Sequence, residues 1–167
     1  SSDLAAIKCV VGAVSATGGT YKRLVDAFGI YHWRRLELWS SGKLITTVYA
    51  ENADENILQH NSLDEIGVLN KMVGIDTTAN RNSAAAAAQT FFLPLDEVFS
   101  LFSQPLPRFL IDDLELRVYF RGPVANLIEC DGTNPSVSIT DYKLVVSYDD
   151  AGEDVARYCQ TIANSKD

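Results

Sequence analysis

The feature that most constrains the fold is a strand pattern over residues 114–121. Its apolar members are Leu114, Leu116, Val118 and Phe120, and the residues between them are Glu115, Arg117, Tyr119 and Arg121. This period of two is typical of a strand with one face on a core and one on water. Half-buried strands occur mainly in antiparallel sheets, and the helical patterns elsewhere are short. We therefore expect an all-β antiparallel sandwich with short helices inserted between its strands.

A second strong strand pattern runs over residues 30–39 and leads into a tight turn. Leu36 and Leu38 alternate there with charged residues, and the turn 40–43 contains Gly42, which can adopt a positive φ. Residues 44–49 then return as a β-branched partner strand. The sequence therefore predicts a β-hairpin at this position.

A helix is predicted over residues 63–73. Ser62 and Glu65 have the spacing of a capping box, in which each side chain bonds the backbone N–H of the other residue. Apolar residues recur after it at helical spacing, and Gly74 is placed to end the helix in the left-handed conformation.

Weaker patterns complete a predicted set of seven or eight strands, which suits an eight-stranded sandwich. The further strands are expected at 7–14, 90–95, 124–130 and 137–148, with a bend or bulge at 140–141. Residues 21–28 fit either a strand or a short helix, and loops are expected at 15–19 and 131–136.

Three stretches are expected to lie outside the strands. Residues 96–102 suit a short helix before a bend at the prolines of 105–107, and residues 152–163 suit a terminal helix. Residues 75–89 end in the run Ala84–Ala88, and for this stretch a surface loop is favoured over a helix because short isolated helices are marginal.

The length of 167 residues fits one domain with its own core, placed here at residues 4–150. Residues 151–167 are expected to form a helix or a linker towards a second domain. Because the chain begins Ser1-Ser2-Asp3, with no initiator Met and no basic and apolar leader, we expect either a processed product or a piece of a longer polypeptide, and the piece is favoured. No apolar run reaches the roughly 18 residues that a membrane helix needs.

The charge balance is acidic, with 14 Lys and Arg against 22 Asp and Glu, a net −8. Direct binding to nucleic acid is therefore not expected, because it requires basic residues to neutralise phosphates. The sequence contains one cluster of basic residues, which we interpret as a solvated strand edge and loop in preference to a phosphate-binding site. It comprises Lys22, Arg23, His32, Arg34 and Arg35.

The three cysteines, Cys9, Cys130 and Cys159, form no Cys-x-x-Cys motif. An odd number of widely spaced cysteines favours a reducing compartment over a secreted disulfide scaffold. Cys9 and Cys130 lie in apolar runs and are expected to be buried free thiols.

No catalytic, cofactor-binding or metal-binding residue is assigned from the sequence, and the chain is not expected to be an enzyme. His32 and His60 have no second ligand at metal-binding spacing, and His60, which precedes the helix cap, is expected to face solvent. Three acidic pairs lack the spacing of a calcium loop and are favoured as strand-end or helix-start carboxylates: Asp112-Asp113, Asp149-Asp150 and Glu153-Asp154.

An aromatic group leaves a binding role open. Simple alternation places Trp33 and Trp39 on one strand face, near Tyr31. These rings could stack on a sugar, and packing against a neighbouring domain or subunit is an equally good interpretation.

With these elements in order, the chain resembles the first jelly roll of major capsid proteins from the double jelly-roll lineage of tailless icosahedral viruses. The resemblance rests on four segments: the strand–turn–strand unit Trp33–Tyr49, the helix 62–73, the segment Phe91–Phe120 and the final strand Tyr142–Asp150. In the third segment, a Leu-Pro-Leu sequence is followed by a short helix, a Pro-Leu-Pro bend and a long strand. Members of this lineage carry two jelly rolls, whereas 167 residues hold one, so either the second half is absent from this chain or the chain is a single jelly-roll relative.

The resemblance implies a structural role in the virion. It implies a subunit that self-associates into trimeric, pseudo-hexameric capsomers and contacts neighbouring capsomers and minor capsid proteins, in some cases above a membrane. Assembly would occur inside the host cell, which suits the unpaired cysteines. Loops 75–90 and 131–136 would serve as tower or inter-subunit elaborations. The alternative is a jelly-roll module that binds carbohydrate or a receptor through Tyr31, Trp33 and Trp39.

Overall fold

The computed structural model describes residues 5–103 and 113–147, which form ten strands and four α-helices. The strands are β1 Ala5–Val11, β2 Ser15–Thr17, β3 Lys22–Leu24, β4 Trp33–Ser40, β5 Lys43–Tyr49, β6 Gln89–Pro94, β7 Leu114–Phe120, β8 Ile128–Cys130, β9 Thr133–Ser136 and β10 Ile139–Val146. The helices are α1 Phe28–Tyr31, α2 Ala50–His60, α3 Leu63–Val73 and α4 Thr78–Ala84. Two 3₁₀ turns occupy Ser100–Ser103 and Val124–Leu127.

The two halves of the chain run antiparallel to each other in a nested series of strand pairs. Strand β1 pairs with β10, β2 with β9, β3 with β8 and β4 with β7. This nested pairing of early strands with late strands is the connectivity of a jelly roll. The predicted antiparallel jelly-roll sandwich with short helices between its strands is therefore confirmed.

The strand count is higher than eight because the predicted loops 15–19 and 131–136 contain short strands. Ser15 pairs with Ser136 and Thr17 pairs with Thr133, so β2 and β9 form a two-stranded sheet. Asp131 fixes the neighbouring turn, since its carboxylate accepts hydrogen bonds from the backbone N–H groups of Thr20 at 2.8 Å and Tyr21 at 3.0 Å. With the Thr20 hydroxyl as a further donor, these bonds lower the pKa of Asp131 to about 2.

Two three-stranded sheets enclose the main core, in the orders β10-β1-β6 and β5-β4-β7. Alternate residues of β1 are buried, and Ala5 and Ile7 pack in one cluster with Leu36 and Leu38 of β4. The other end of β1 contributes Cys9 to a second, adjacent cluster around Phe28 and Phe91. Strand β1 therefore connects the two parts of the core.

The hairpin at residues 33–49 is confirmed, although its first strand starts later than predicted. Residues Phe28–Tyr31 form α1 instead of the beginning of a strand, and β4 begins at Trp33. The turn is reached through Ser41 and Gly42, both at positive φ. The ambiguous stretch 21–28 resolves into strand β3 followed by the start of α1.

Helix α3 is confirmed with both of its predicted ends. The Ser62 backbone N–H donates to Glu65 Oε2 at 2.9 Å, the Glu65 N–H donates to Ser62 Oγ at 3.4 Å, and Gly74 adopts a φ of 89°. The short helix expected at 96–102 is reduced to turns and the 3₁₀ segment Ser100–Ser103.

The expectation of a loop through 75–89 is wrong for residues 78–84. They form helix α4, which is capped by Thr77, whose hydroxyl accepts from the Asn80 N–H at 3.3 Å. The alanine run mostly follows this helix, and Ala85 is buried in the second cluster. Residues 124–130 are also only partly extended, because a 3₁₀ turn precedes the short strand β8.

The last long strand contains the predicted irregularity. Val10 pairs with Asp141 and Val11 with Ile139, so Thr140 is the extra residue of a bulge. The proline bend at 105–107, the terminal helix 152–163 and the acidic pair Asp149-Asp150 fall outside the described residues.

Replacement of Gly29 by alanine should lower the free energy of unfolding by about 1–3 kcal/mol, as is usual for overpacking of a core. A Cβ at Gly29 would lie 2.9 Å from the Cα and carbonyl oxygen of Val73, and backbone atoms cannot move aside easily. In α3, Gly67→Ala is the matched control, because its Cβ would meet no atom within 4 Å. Thermal denaturation should show a lower Tm for the first variant and an unchanged or higher Tm for the control.

Candidate interaction surface

The side of the β5-β4-β7 sheet that faces away from the core carries an ordered group of aromatic and charged side chains. Cross-strand pairing fixes its members, because directly paired residues lie on the same face. Arg35 pairs with Tyr49 and Tyr119, Glu37 with Thr47 and Arg117, and Trp39 with Leu44 and Glu115. We call these nine residues the outer face.

Glu37 lies at the centre of the outer face and is only 7% exposed. Its carboxylate accepts hydrogen bonds from Arg35 Nε at 2.9 Å, Trp39 Nε1 at 3.0 Å and the Tyr119 hydroxyl at 3.1 Å. Burial opposes its charged form, but these hydrogen bonds and the Arg35 charge outweigh burial and lower the pKa of Glu37. Glu37 is therefore ionised at neutral pH and holds three of its neighbours in place.

Two arginines stack on the aromatic rings of the outer face. The Arg35 guanidinium lies 4.0 Å from the centre of the Tyr119 ring, and that of Arg117 lies 4.0 Å from the centre of the Trp39 ring. Arg117 also donates to Glu115 Oε1 at 2.6 Å. Such cation–π pairs, together with the bonds to Glu37, restrict the rotamers of long side chains before any partner binds.

The predicted aromatic platform does not form, because Trp33 and Trp39 lie on opposite faces of β4. The register between β4 and β7 shifts between Trp33 and Arg35, so Arg34 is an extra residue and the simple alternation fails there. Trp33 is 0% exposed in the main core, whereas Trp39 lies on the outer face. The Tyr31 hydroxyl, in turn, is bound to Asp54 at 2.8 Å.

The basic concentration seen in the sequence is dispersed in the structure. Arg23 pairs with Glu129 at 2.6 Å, Arg35 belongs to the outer face, and His32 is buried. The hypothesis of a phosphate site at these residues therefore has no geometric support.

His32 forms a buried polar contact between α1 and β10. Its Nδ1 lies 2.9 Å from the Phe28 carbonyl oxygen, which can only accept, so Nδ1 carries the proton. Its Nε2, 3.1 Å from the Tyr142 hydroxyl, accepts from that group. Burial lowers the pKa of His32 to about 4, so the ring is neutral at physiological pH.

A cavity of about 250 Å³ lies between β3, the end of α3 and α4. Its floor is apolar and includes Phe28 and Phe91, and Lys71 and Arg81 lie at its edge. Arg81 is already bound to the Leu24 carbonyl at 3.0 Å. Because small-molecule sites usually enclose about 300–1,000 Å³, the outer face is the better candidate for a functional surface.

Neither a metal-binding cluster nor a membrane-spanning helix is found in residues 5–103 and 113–147. There, no group of three or more His, Cys, Asp or Glu side chains is arranged to hold a metal ion. Asp113 of the acidic pair 112–113 instead accepts from the Ser41 hydroxyl at 3.3 Å. Within the same described ranges, no helix has the length and apolar character needed to cross a bilayer.

The thiols of Cys9 and Cys130 should differ in reactivity towards an alkylating reagent. Cys9 is buried as predicted, and burial raises the pKa of its thiol to about 12, which suppresses the reactive thiolate. Cys130 is only half-buried, contrary to expectation. Peptide mass mapping after brief iodoacetamide treatment should find Cys130 modified and Cys9 unmodified until denaturant is added. Equal modification of both under native conditions would contradict the described packing of β1.

Comparison with known proteins finds a likeness of fold and no close relative. No protein-family model and no curated protein matches the sequence. A crystal structure of PBCV-1 VP54, fitted into a cryo-electron microscopy reconstruction of the virophage Sputnik, matches with a TM-score of 0.51 and 16% identity. The match covers 95% of this chain and 38% of VP54, so the chain spans well under half the length of that neighbour. The chain thus shares a jelly-roll fold with this viral protein.

Proposed function

We propose that this chain is a structural subunit of a viral capsid, a jelly-roll building block without catalytic function. The observation that carries the proposal is the match of 95% of the chain to the viral protein VP54. The nested antiparallel pairing of β1 to β10 and the sequence resemblance at residues 33–49, 62–73 and 91–120 support the same conclusion independently.

The proposal includes assembly into trimers that form pseudo-hexameric capsomers of an icosahedral shell in the virion. These capsomers would contact one another and minor capsid proteins. The match to 38% of the neighbour's length fits a chain that contributes one of two jelly rolls, with residues 151–167 leading towards the second. Assembly inside the host cell is in keeping with the free thiols of Cys9 and Cys130.

The test is the assembled size of the purified 167-residue chain, and of the longer polypeptide where one exists, measured by light scattering over a range of concentrations. We expect a discrete trimer, with three times the 18.3 kDa mass of the chain, or larger particles visible by negative-stain microscopy. A chain and source polypeptide that both remain monomeric at the highest concentrations would remove the shell-building role.

The alternative of a carbohydrate- or receptor-binding module is weakened by the position of Trp33 in the core. Of the three aromatic residues proposed for it, Trp39 lies on the outer face and Tyr31 is bound to Asp54. A glycan array probed with the folded chain distinguishes the two functions, because a structural subunit should give no specific signal.

A further inference from the structure

We propose that the outer face of the β5-β4-β7 sheet binds a second copy of this chain, with Trp39 and Leu44 among the residues in contact. The inference rests on the proposed function only in that the chain must self-associate. It goes further by assigning one surface and named residues to that association.

The composition of the outer face suits a protein interface. Trp, Tyr and Arg are the residues most enriched among those that dominate binding energy, and the outer face contains Trp39, Tyr49, Tyr119 and two arginines. Leu44 and Tyr49 are among the exposed apolar residues, and they flank this group on the edge strand β5. A face with this composition gains free energy when a partner removes its apolar area from water.

The outer face is also ordered in advance. Glu37 fixes Arg35, Trp39 and Tyr119 by hydrogen bonds, and Arg117 is held between Glu115 and the Trp39 ring. Immobilising a flexible side chain on binding costs conformational entropy, and here part of that cost is already met in the free chain. Side chains whose only role was to keep the chain soluble would not need to be held in place by these hydrogen bonds and cation–π contacts.

Charge favours a second copy over other partners. The chain carries a net −8, so two copies repel each other across most of their surfaces. On the outer face the charges of Arg35 and Arg117 cancel those of Glu37 and Glu115. Because its charges cancel, this face adds no net repulsion between two like-charged copies, whereas a strongly basic or strongly acidic partner would find no complementary field there.

The outer face alone is smaller than a stable protein interface, so we expect it to form the centre of a larger contact. Three strands about 4.8 Å apart and six residues long give roughly 300 Å², compared with about 800 Å² per partner in a stable interface. The side chain of Ile45, which is 51% exposed, extends the apolar area next to it. The remaining area would come from a polar rim, as is usual in protein interfaces.

The deciding experiment compares Leu44→Asp with Val145→Asp in the 167-residue chain. Leu44 is 49% and Val145 is 40% exposed, and both lie on strands that pair on one side only in the described residues. Val145 pairs with Ala6, on the side of the β10-β1-β6 sheet that faces away from the core, so the two variants add the same charge at matched positions of the two sheets. Sedimentation equilibrium should show association weakened at least tenfold by Leu44→Asp and less than threefold by Val145→Asp. Circular dichroism and Tm establish that both variants are folded.

Acrylamide quenching of the two tryptophans supplies an independent measurement. Trp33 is inaccessible in every folded state, so quenching reports on Trp39. We expect Trp39 to be quenched in dilute monomer and protected in the assembled wild-type chain. Protection already in the monomer would mean that another part of the same chain covers the face, and would overturn the inference.

The outcomes separate the two proposals. If the wild-type chain is monomeric at every concentration, the proposed function and the interface both fail. If it assembles while Trp39 stays accessible, or while Leu44→Asp associates as well as Val145→Asp, the outer face is not the contact and the capsid role stands without it.

Discussion

The Trp33→Ala variant should lose about 3–5 kcal/mol of unfolding free energy, the range for removal of a large aromatic side chain from a core. Trp33 is 0% exposed and packs in the main core cluster, where β4 enters the sandwich beside α1. Alanine would leave a cavity that neighbouring strands, fixed by their hydrogen bonds, cannot fill. Because a domain of this size is commonly stable by 5–15 kcal/mol, urea denaturation should find the variant marginally folded at best.

Two variants make this prediction specific. Trp33→Phe keeps most of the volume and removes the indole N–H, which has no hydrogen-bond partner among residues 5–103 and 113–147, so it should cost much less than alanine. Trp39→Ala, on the outer face, should lower the Tm less than Trp33→Ala. If Trp33→Ala denatured at the same urea concentration as the wild type, the assignment of Trp33 to the core would be wrong, and the aromatic-platform hypothesis would regain support.

Stability should fall by about 2 kcal/mol between pH 7.5 and pH 5 through His32 alone. In the unfolded chain its pKa is about 6.5, whereas burial in the folded chain lowers the pKa to about 4. Above pH 6.5 the ring is neutral in both states and contributes no pH dependence. Below pH 6.5 the unfolded state gains a proton that the folded state does not, so stability decreases until about pH 4, where both states are protonated.

The structural reason is burial, because His32 is 2% exposed and its charged form would lose its hydration. Nδ1 donates to the Phe28 carbonyl and Nε2 accepts from Tyr142, so a proton gained at Nε2 would also require the Tyr142 hydroxyl to turn and accept instead of donate. Urea denaturation of the wild type and His32→Gln at pH 7.5, 6 and 5 checks this, because the other titrating groups are common to both chains. Parallel stability curves for the two proteins would show that His32 is not responsible.

The parts of the fold that were predictable are those determined by local chemistry. The capping box of Ser62 and Glu65 and the left-handed Gly74 define α3 without reference to the rest of the molecule. The turn with Gly42 likewise fixes the hairpin through its backbone geometry. Each of these signals lies within a few residues of the structure that it produces.

The parts that were missed depend on contacts between distant residues. Helix α2 has a polar sequence and no side-chain cap, so the sequence gives little local indication of a helix. Its residues Ala50, Ala53 and Ile57 are buried only because they pack on a core formed by other parts of the chain. Strand β2 is three residues long and is extended because β9, over a hundred residues away, pairs with it. Periodicity cannot detect a strand of this length.

The candidate surface was predictable only in part. Alternation correctly indicated that Glu115, Arg117 and Tyr119 share the polar side of β7, and that Arg35 and Glu37 share that of β4. It could not indicate that β7 pairs with β4, which is what brings Tyr119 within 3.1 Å of Glu37. The extra residue Arg34 also reversed the side on which Trp33 lies, because a single bulge changes the parity of every earlier position.

The nested strand pairing has a consequence for how the chain folds during synthesis. Strand β1 is made first, yet one of its two partners, β10, begins only at Ile139. At about 5–20 residues per second, translation leaves β1 without this partner for roughly 7–25 seconds. During that interval the apolar side chains of Ile7 and Val11 lack their final neighbours, which makes the nascent chain a candidate for chaperone binding. The β4–β5 hairpin can form early, whereas closure of the β10-β1-β6 sheet is among the last steps, because it requires the chain to have been synthesised as far as Val146.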